Sequence, residues 1–204
     1  VMLAFTSDDP RRALAAGIMY TIHHMVTVGS LILASGAIEE TYGTGLLSKL
    51  SGLARRDPII AWIFAAGAFS VVGFPPFSGM WGKLMIVFEI ARVGGASAWI
   101  AIAAIIIASF AAFLAMLRVW RKVFWGKGLP EDKVPDELVI RKKLMAPSAA
   151  LILGSLCMFI FSGIVLDVVD SASEQLLDTT AYTETVLGDE PIAVPTIDEI
   201  QEGR

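Results

Sequence analysis

Lys83 and the pair His23 and His24 are out of keeping with their surroundings, because each lies in a stretch otherwise built of apolar residues. The lysine closes the string GFPPFSGMWGK (73–83) and is followed by LMIVF (84–88). An ammonium there is short of water and faces the positive N-terminal end of any helix that starts behind the two prolines. A lysine held in that way can release and retake a proton. The alternative is a side chain whose stem carries its charge to the membrane surface, against which the apolar residues after it speak.

The histidines stand in YTIHHM (20–25). Imidazole titrates near neutral pH, and its two nitrogens can pass a proton from one side of the ring to the other. Neighbouring helical residues point about 100° apart, so only one of the two can face the path that Lys83 faces. The other is free to bond a neighbouring helix, with Thr21, Thr27 and Ser30 as partners or water holders. Adjacent histidines diverge and no Cys, Asp or Glu is near them in this stretch, so neither a metal site nor another cofactor is expected. Glu89 and Arg92 are three apart and can pair near a helix end, either as a plain ion pair or as an exit position for protons.

Two other patterns lead nowhere. The run into Gly82 and Lys83 lacks a phosphate loop's first glycine, since Phe77 stands there, and Leu84 replaces the hydroxyl that would reach magnesium. GTG at 43–45 has no strand before it for a dinucleotide fingerprint. No nucleophile stands beside a base, so the expected protein is not an enzyme.

These residues need elements to hold them, and 55% hydrophobic content in 204 residues makes those elements membrane helices. Segments 13–38, 97–117 and 144–166 carry no Asp, Glu, Lys or Arg, and each exceeds the roughly 20 residues that a 30 Å hydrocarbon core requires. Segment 59–92 would be about 51 Å long as one straight helix, far more than a crossing needs. Pro75 and Pro76 remove two amide donors, while Gly73 and Gly79 permit a sharp turn, so the chain is read as two half-helices, 59–72 and 79–92. Unpaired backbone at that depth must face protein or a hydrated cavity, and such breaks are where transporters build ion positions.

The expected fold is therefore all-α, a polytopic membrane helix bundle over 1–168. Its spans are about 13–38, 59–92 broken at 73–79, 97–124 and 144–168. A short surface helix is read over 48–57, and lone Cys157 is read as packing. Residues 169–204 carry nine acidic side chains against Arg204 alone, which suits a solvated, partly disordered tail. Lys and Arg number eleven across 39–58 and 118–143 but four on the other side, so those two loops are placed in the cytoplasm and the tail outside. The opening VMLAFTSDDPRR reads as the last turn of a further apolar helix, and hence as the C-terminal part of a longer protein or of a split gene.

YTIHHM, SGLARRDP (51–58), GFPPFSGMWGK and the order of the spans resemble the antiporter-like membrane subunits shared by Mrp-type multisubunit cation/proton antiporters and respiratory complex I. The likeness covers about residues 1–126, and its wording is nearest to the D subunits of Mrp antiporters. The resemblance implies fourteen helices in the parent subunit, of which this fragment supplies the end of helix 10 and helices 11–14. It also matches Lys83 to the ionisable residue of broken helix 12 in the outward half-channel and His24 to the helix 11 histidine of the central hydrophilic axis. Val28 departs from the pattern, since many relatives have lysine there; His23 or His24, with water beside Thr27, is the substitute.

The expectation that follows is a proton-translocating subunit of a Na⁺(Li⁺,K⁺)/H⁺ antiporter in the bacterial cell membrane. Lys83 exchanges protons and His24 relays them. Its partners are other subunits of a multisubunit membrane complex, lipid, protons and monovalent cations, with no nucleic acid. The alternatives are a proton-pumping subunit of complex I or a membrane-bound hydrogenase, and a scaffold that conducts nothing.

Overall fold

A computed structural model describes residues 7–127 and 138–188. The opening residues 1–6, the middle of the 118–143 loop and the tail beyond 188, each assigned a role above, lie outside the described residues. The described chain is helical, with no strand among its elements.

The first helix, α1 (Pro10–Tyr42), organises the rest. Asp9 caps it through the amide of Arg12, Pro10 takes the first position, and Gly43 ends it in a left-handed conformation with φ 68°. Its buried residues Ala15, Met19, His23, Thr27, Ser30, Ala34 and Ala37 recur every three or four positions, so they form one stripe. That stripe packs against four later helices, α3 (Pro58–Val72), α4 (Gly79–Val93), α6 (Lys142–Ile160) and α7 (Ser162–Leu177). Ala15 and Met19 join Val169 in one apolar cluster. Ala34, Ala37 and Ile38 join Ile60, Phe64 and Phe124 in another. Between the two clusters the stripe turns polar at His23, Thr27 and Ser30.

The broken crossing is present as two helices of 15 residues, α3 and α4. Each is about 22 Å long, too short to cross alone. Among the described residues three helices have the length and apolar character to cross a membrane: Pro10–Tyr42, Gly95–Phe124 and Lys142–Ile160. The middle one is α5 (Gly95–Val119) closed by a π-helical turn, Trp120–Phe124, which stacks Trp120 on Phe124 and sets Phe124 4.8 Å from Phe64.

Two expectations change in the light of the structure. The surface helix read over 48–57 shrinks to one turn, α2 (Leu53–Arg56), because Gly52 before it sits at φ 71°, outside helical space. Leu50 and Leu53 are buried in the core rather than laid on a surface. Asp57, at the head of α3, accepts the Tyr42 hydroxyl at 2.6 Å and the Ile140 amide at 2.9 Å, so SGLARRDP fastens three segments.

The fourth crossing is also different. α6 ends at Ile160, and α7 carries the chain past 169, where the tail was expected to begin, to Leu177. Asp170 and Glu174 lie one turn apart and both pair with Arg11 at the start of α1, while Val169 and Ser173 are buried. Acidic residues counted as tail thus belong to a packed helix. A short α8 (Thr180–Leu187) follows.

Candidate functional site

The site begins with backbone groups that the break sets free. A helix leaves its last carbonyls without amide partners. At the end of α3, the amides of Gly73 and Phe74 turn back to Phe69 and Ser70, and Gly73 adopts φ 98° to allow it. The carbonyls of Val71 and Val72 remain open, and Lys83 Nζ donates to both at 2.8 Å. Its third contact is Ser109 Oγ on α5 at 3.0 Å. An ammonium has three protons to give, and here each has an acceptor.

The negative end of α3 therefore faces the cation that the positive end of α4 repels. From the sequence only the repulsion was apparent. A side chain at Gly73 would come within 3.0 Å of Lys83 Cδ, so the bare backbone makes room for the lysine stem. A cleft of about 340 Å³, lined by Val72, Gly73, Phe74, Ser109, Phe110 and Phe113, opens beside these acceptors. Phe74, Pro75 and Pro76 are exposed on this chain, whereas Ser78 and Gly79 are buried against the bundle. Prolines carry no amide proton, so the exposed half of the break has two fewer donors to satisfy.

On the other side of the break stands His23. Its ring is 1% exposed, with Nδ1 2.9 Å from Ser78 Oγ and 3.3 Å from Thr27 Oγ1. Ser78 precedes α4 in the position of a cap, yet its hydroxyl is directed to His23 and to Ser155 rather than to the helix. Gly79 explains how the ring comes so close. A Cβ there would lie 1.9 Å from the carbonyl of Ser70 and 2.8 Å from His23 Cε1, contacts no side chain can make. The first turn of α4 is thus pressed between the imidazole and the end of α3.

His24 was expected to relay protons to Lys83, and only one of the two histidines can face the break. His23 is the histidine seated there, because it falls on the buried stripe of α1, and His24, one residue on, is exposed on this chain with its ring beside Tyr20. Val28 is half-buried. Glu89 is buried, and Arg92 lies 3.4 Å from its Oε1. The pair stands beside a recess of about 550 Å³ that Arg12 of α1 and Asp167 and Asp170 of α7 also line. Lys83 faces α5, so the two groups occupy different sides of one helix.

Four hydroxyls at the site were not singled out from the sequence: Ser70, Ser78, Ser109 and Ser155. Serine is ordinary in membrane helices, and nothing local distinguishes these from Ser35 or Ser171, which bond their own helix. Only the fold gathers them. No cluster of metal-ligating side chains occurs among the described residues.

Against this geometry the comparisons with known proteins can be set. Residues 1–115 match the family described as NADH:quinone oxidoreductase/Mrp antiporter, TM. The chain belongs to this family. It is a multi-pass membrane protein, in keeping with its helices. Over 86% of its length it is 34% identical to the D subunit of the Na(+)/H(+) antiporter of Bacillus subtilis. It is 26% identical over 69% of its length to the N subunit of the NADH-quinone oxidoreductase of Desulforudis audaxviator. Among solved structures, a chain in the structure of the Mrp complex from Dietzia sp. DQ12-45-1b superposes with a TM-score of 0.77 at 32% identity, covering 86% of this chain and 40% of that one. The chain spans about a third of the length of the curated relatives it matches, 34% of the first and 28% of the second. As a member of the antiporter-like family it keeps the helical architecture expected from its broken-helix motif.

Proposed function

We propose that this chain is the C-terminal part of a proton-translocating subunit of a multisubunit Na⁺(Li⁺,K⁺)/H⁺ antiporter, a secondary transporter and not an enzyme. The reading rests above all on the Lys83 ammonium, held inside the bundle by carbonyls that a broken helix leaves open. Among the described residues three neutral oxygens hold the proton without a fixed anion, so the amine can give it up and leave no unpaired carboxylate behind. The cleft beside Ser109 gives water a place from which to take it. His23, within contact distance of Gly79, takes the relay role that was expected of His24.

The partners are then further subunits of a membrane complex, with the 39–58 and 118–143 loops cytoplasmic and the C-terminal tail outside. A match to antiporter D subunits over 86% of the chain, against 69% and 68% for two redox N subunits, favours the antiporter over the redox-driven pump. The test is cation-driven proton movement in everted vesicles that carry the whole complex. Lys83→Ala abolishes it while the complex still co-purifies, and Glu89→Ala lowers it far less. Undiminished exchange in Lys83→Ala would refute the reading.

A further inference from the structure

On the far side of the break, four hydroxyls and the imidazole form a closed circuit. His23 Nδ1 meets Ser78 Oγ at 2.9 Å, Ser78 meets Ser155 at 2.8 Å, Ser155 meets Ser70 at 3.0 Å, Ser70 meets Thr27 at 2.9 Å, and Thr27 returns to Nδ1 at 3.3 Å. The members come from α1, α3, the break and α6. Every one of them is sealed, with Thr27, Ser70, Ser78 and Ser155 at 0% exposure.

A proton count shows what such a circuit allows. A hydroxyl donates one hydrogen bond and accepts others, whereas Nδ1 either donates or accepts but cannot do both. With Nδ1 bare, Ser78 donates to it, Ser155 to Ser78, Ser70 to Ser155 and Thr27 to Ser70. With Nδ1 protonated, the same four contacts run in the opposite sense, from His23 through Ser78 and Ser155 to Ser70 and Thr27. Both states keep all four short bonds, so neither leaves a buried polar group unmatched at the ring nitrogen.

We propose, on the basis of the antiporter reading above, that these hydroxyls are positioning residues: by accepting the Nδ1 proton of His23 through Ser78 they leave Nε2 bare and able to take a second proton without disturbing the break. Nε2, beside Gly79, is then the atom at which a proton arrives to give the imidazolium and from which it leaves again, while the Nδ1 proton stays in place. Ser155 is the node, since it meets Ser70 and Ser78 and also accepts the Ser78 amide at 3.4 Å. Through it the fourth crossing, α6, takes part in proton transfer although it carries no ionisable side chain at this level. The circuit does not itself carry a proton over a distance, because it closes on the atom where it began.

The test uses the complete complex in everted vesicles and three substitutions at one position. Ser155→Ala removes the hydroxyl and adds no bulk; Ser155→Thr and Ser155→Val share a shape and differ in whether a hydroxyl is present. The proposal expects Ser155→Ala and Ser155→Val to lower the exchange rate about tenfold with the complex intact, and Ser155→Thr to restore most of it. Wild-type exchange in Ser155→Ala, or equal rates for Ser155→Thr and Ser155→Val, overturns it. Lys83→Ala in the same vesicles separates the two ideas: loss of exchange there, with Ser155→Ala unaffected, removes the hydroxyl circuit and leaves the antiporter reading standing.

Discussion

At the scale of single residues, the number of acceptors around Lys83 sets what each neighbour contributes. Two are backbone carbonyls that no side-chain substitution removes, and the third is Ser109. Ser109→Ala therefore leaves exchange in place but lowers it, by about tenfold, the lower end of what one net hydrogen bond to a charged group supplies. The two histidines divide more sharply. His23→Asn removes the proton-accepting ring from a sealed position and is expected to cost most of the exchange, whereas His24→Asn, on the exposed side of α1, costs much less; parallel rate measurements on the two variants check this. Lys83 and His23 were legible in the sequence because a charge or an imidazole in an apolar span is conspicuous. Which histidine sits at the break was not, since the choice turned on the phase of α1 relative to helices that local spacing does not locate.

At the scale of elements, the break depends on two glycines for different reasons. Gly73 supplies a backbone turn at φ 98°, and Gly79 supplies absence of bulk where α4 meets Ser70 and His23. Gly79→Ala places a methyl group against a backbone carbonyl that cannot move aside, so it is expected to destabilise the bundle by about 1–3 kcal/mol and to suppress exchange. Gly67→Ala is the contrasting case. Its new methyl meets only the flexible end of Leu31 at 2.7 Å, and a rotamer change accommodates it. Thermal unfolding of the purified complex is expected to separate the two variants, with the larger drop for Gly79→Ala. The position of the break was readable from Pro75, Pro76 and the flanking glycines, because those residues constrain the backbone wherever they occur. The continuation of α7 through 169–177 was not readable, because its acidic residues are matched by Arg11 about 160 positions earlier and look unpaired when only local charge is counted.

At the scale of the whole molecule, a polar layer lies between two apolar clusters, and the fastenings at either end keep it closed. Asp57 holds one end through Tyr42 and the Ile140 amide. Asp57→Ala leaves both donors without their acceptor and is expected to cost about 1–3 kcal/mol, lowering the yield of assembled complex more than the exchange rate per complex. Quantifying co-purified subunits beside the rate distinguishes those effects. The central claim is that Lys83 gives up its proton, and not merely that a positive charge stands at the break. Arginine keeps the charge and holds its proton at every working pH. The direct measurement is cation-driven proton movement in everted vesicles carrying the Lys83→Arg complex. The account predicts an assembled complex with exchange abolished, and exchange at the wild-type rate would contradict it.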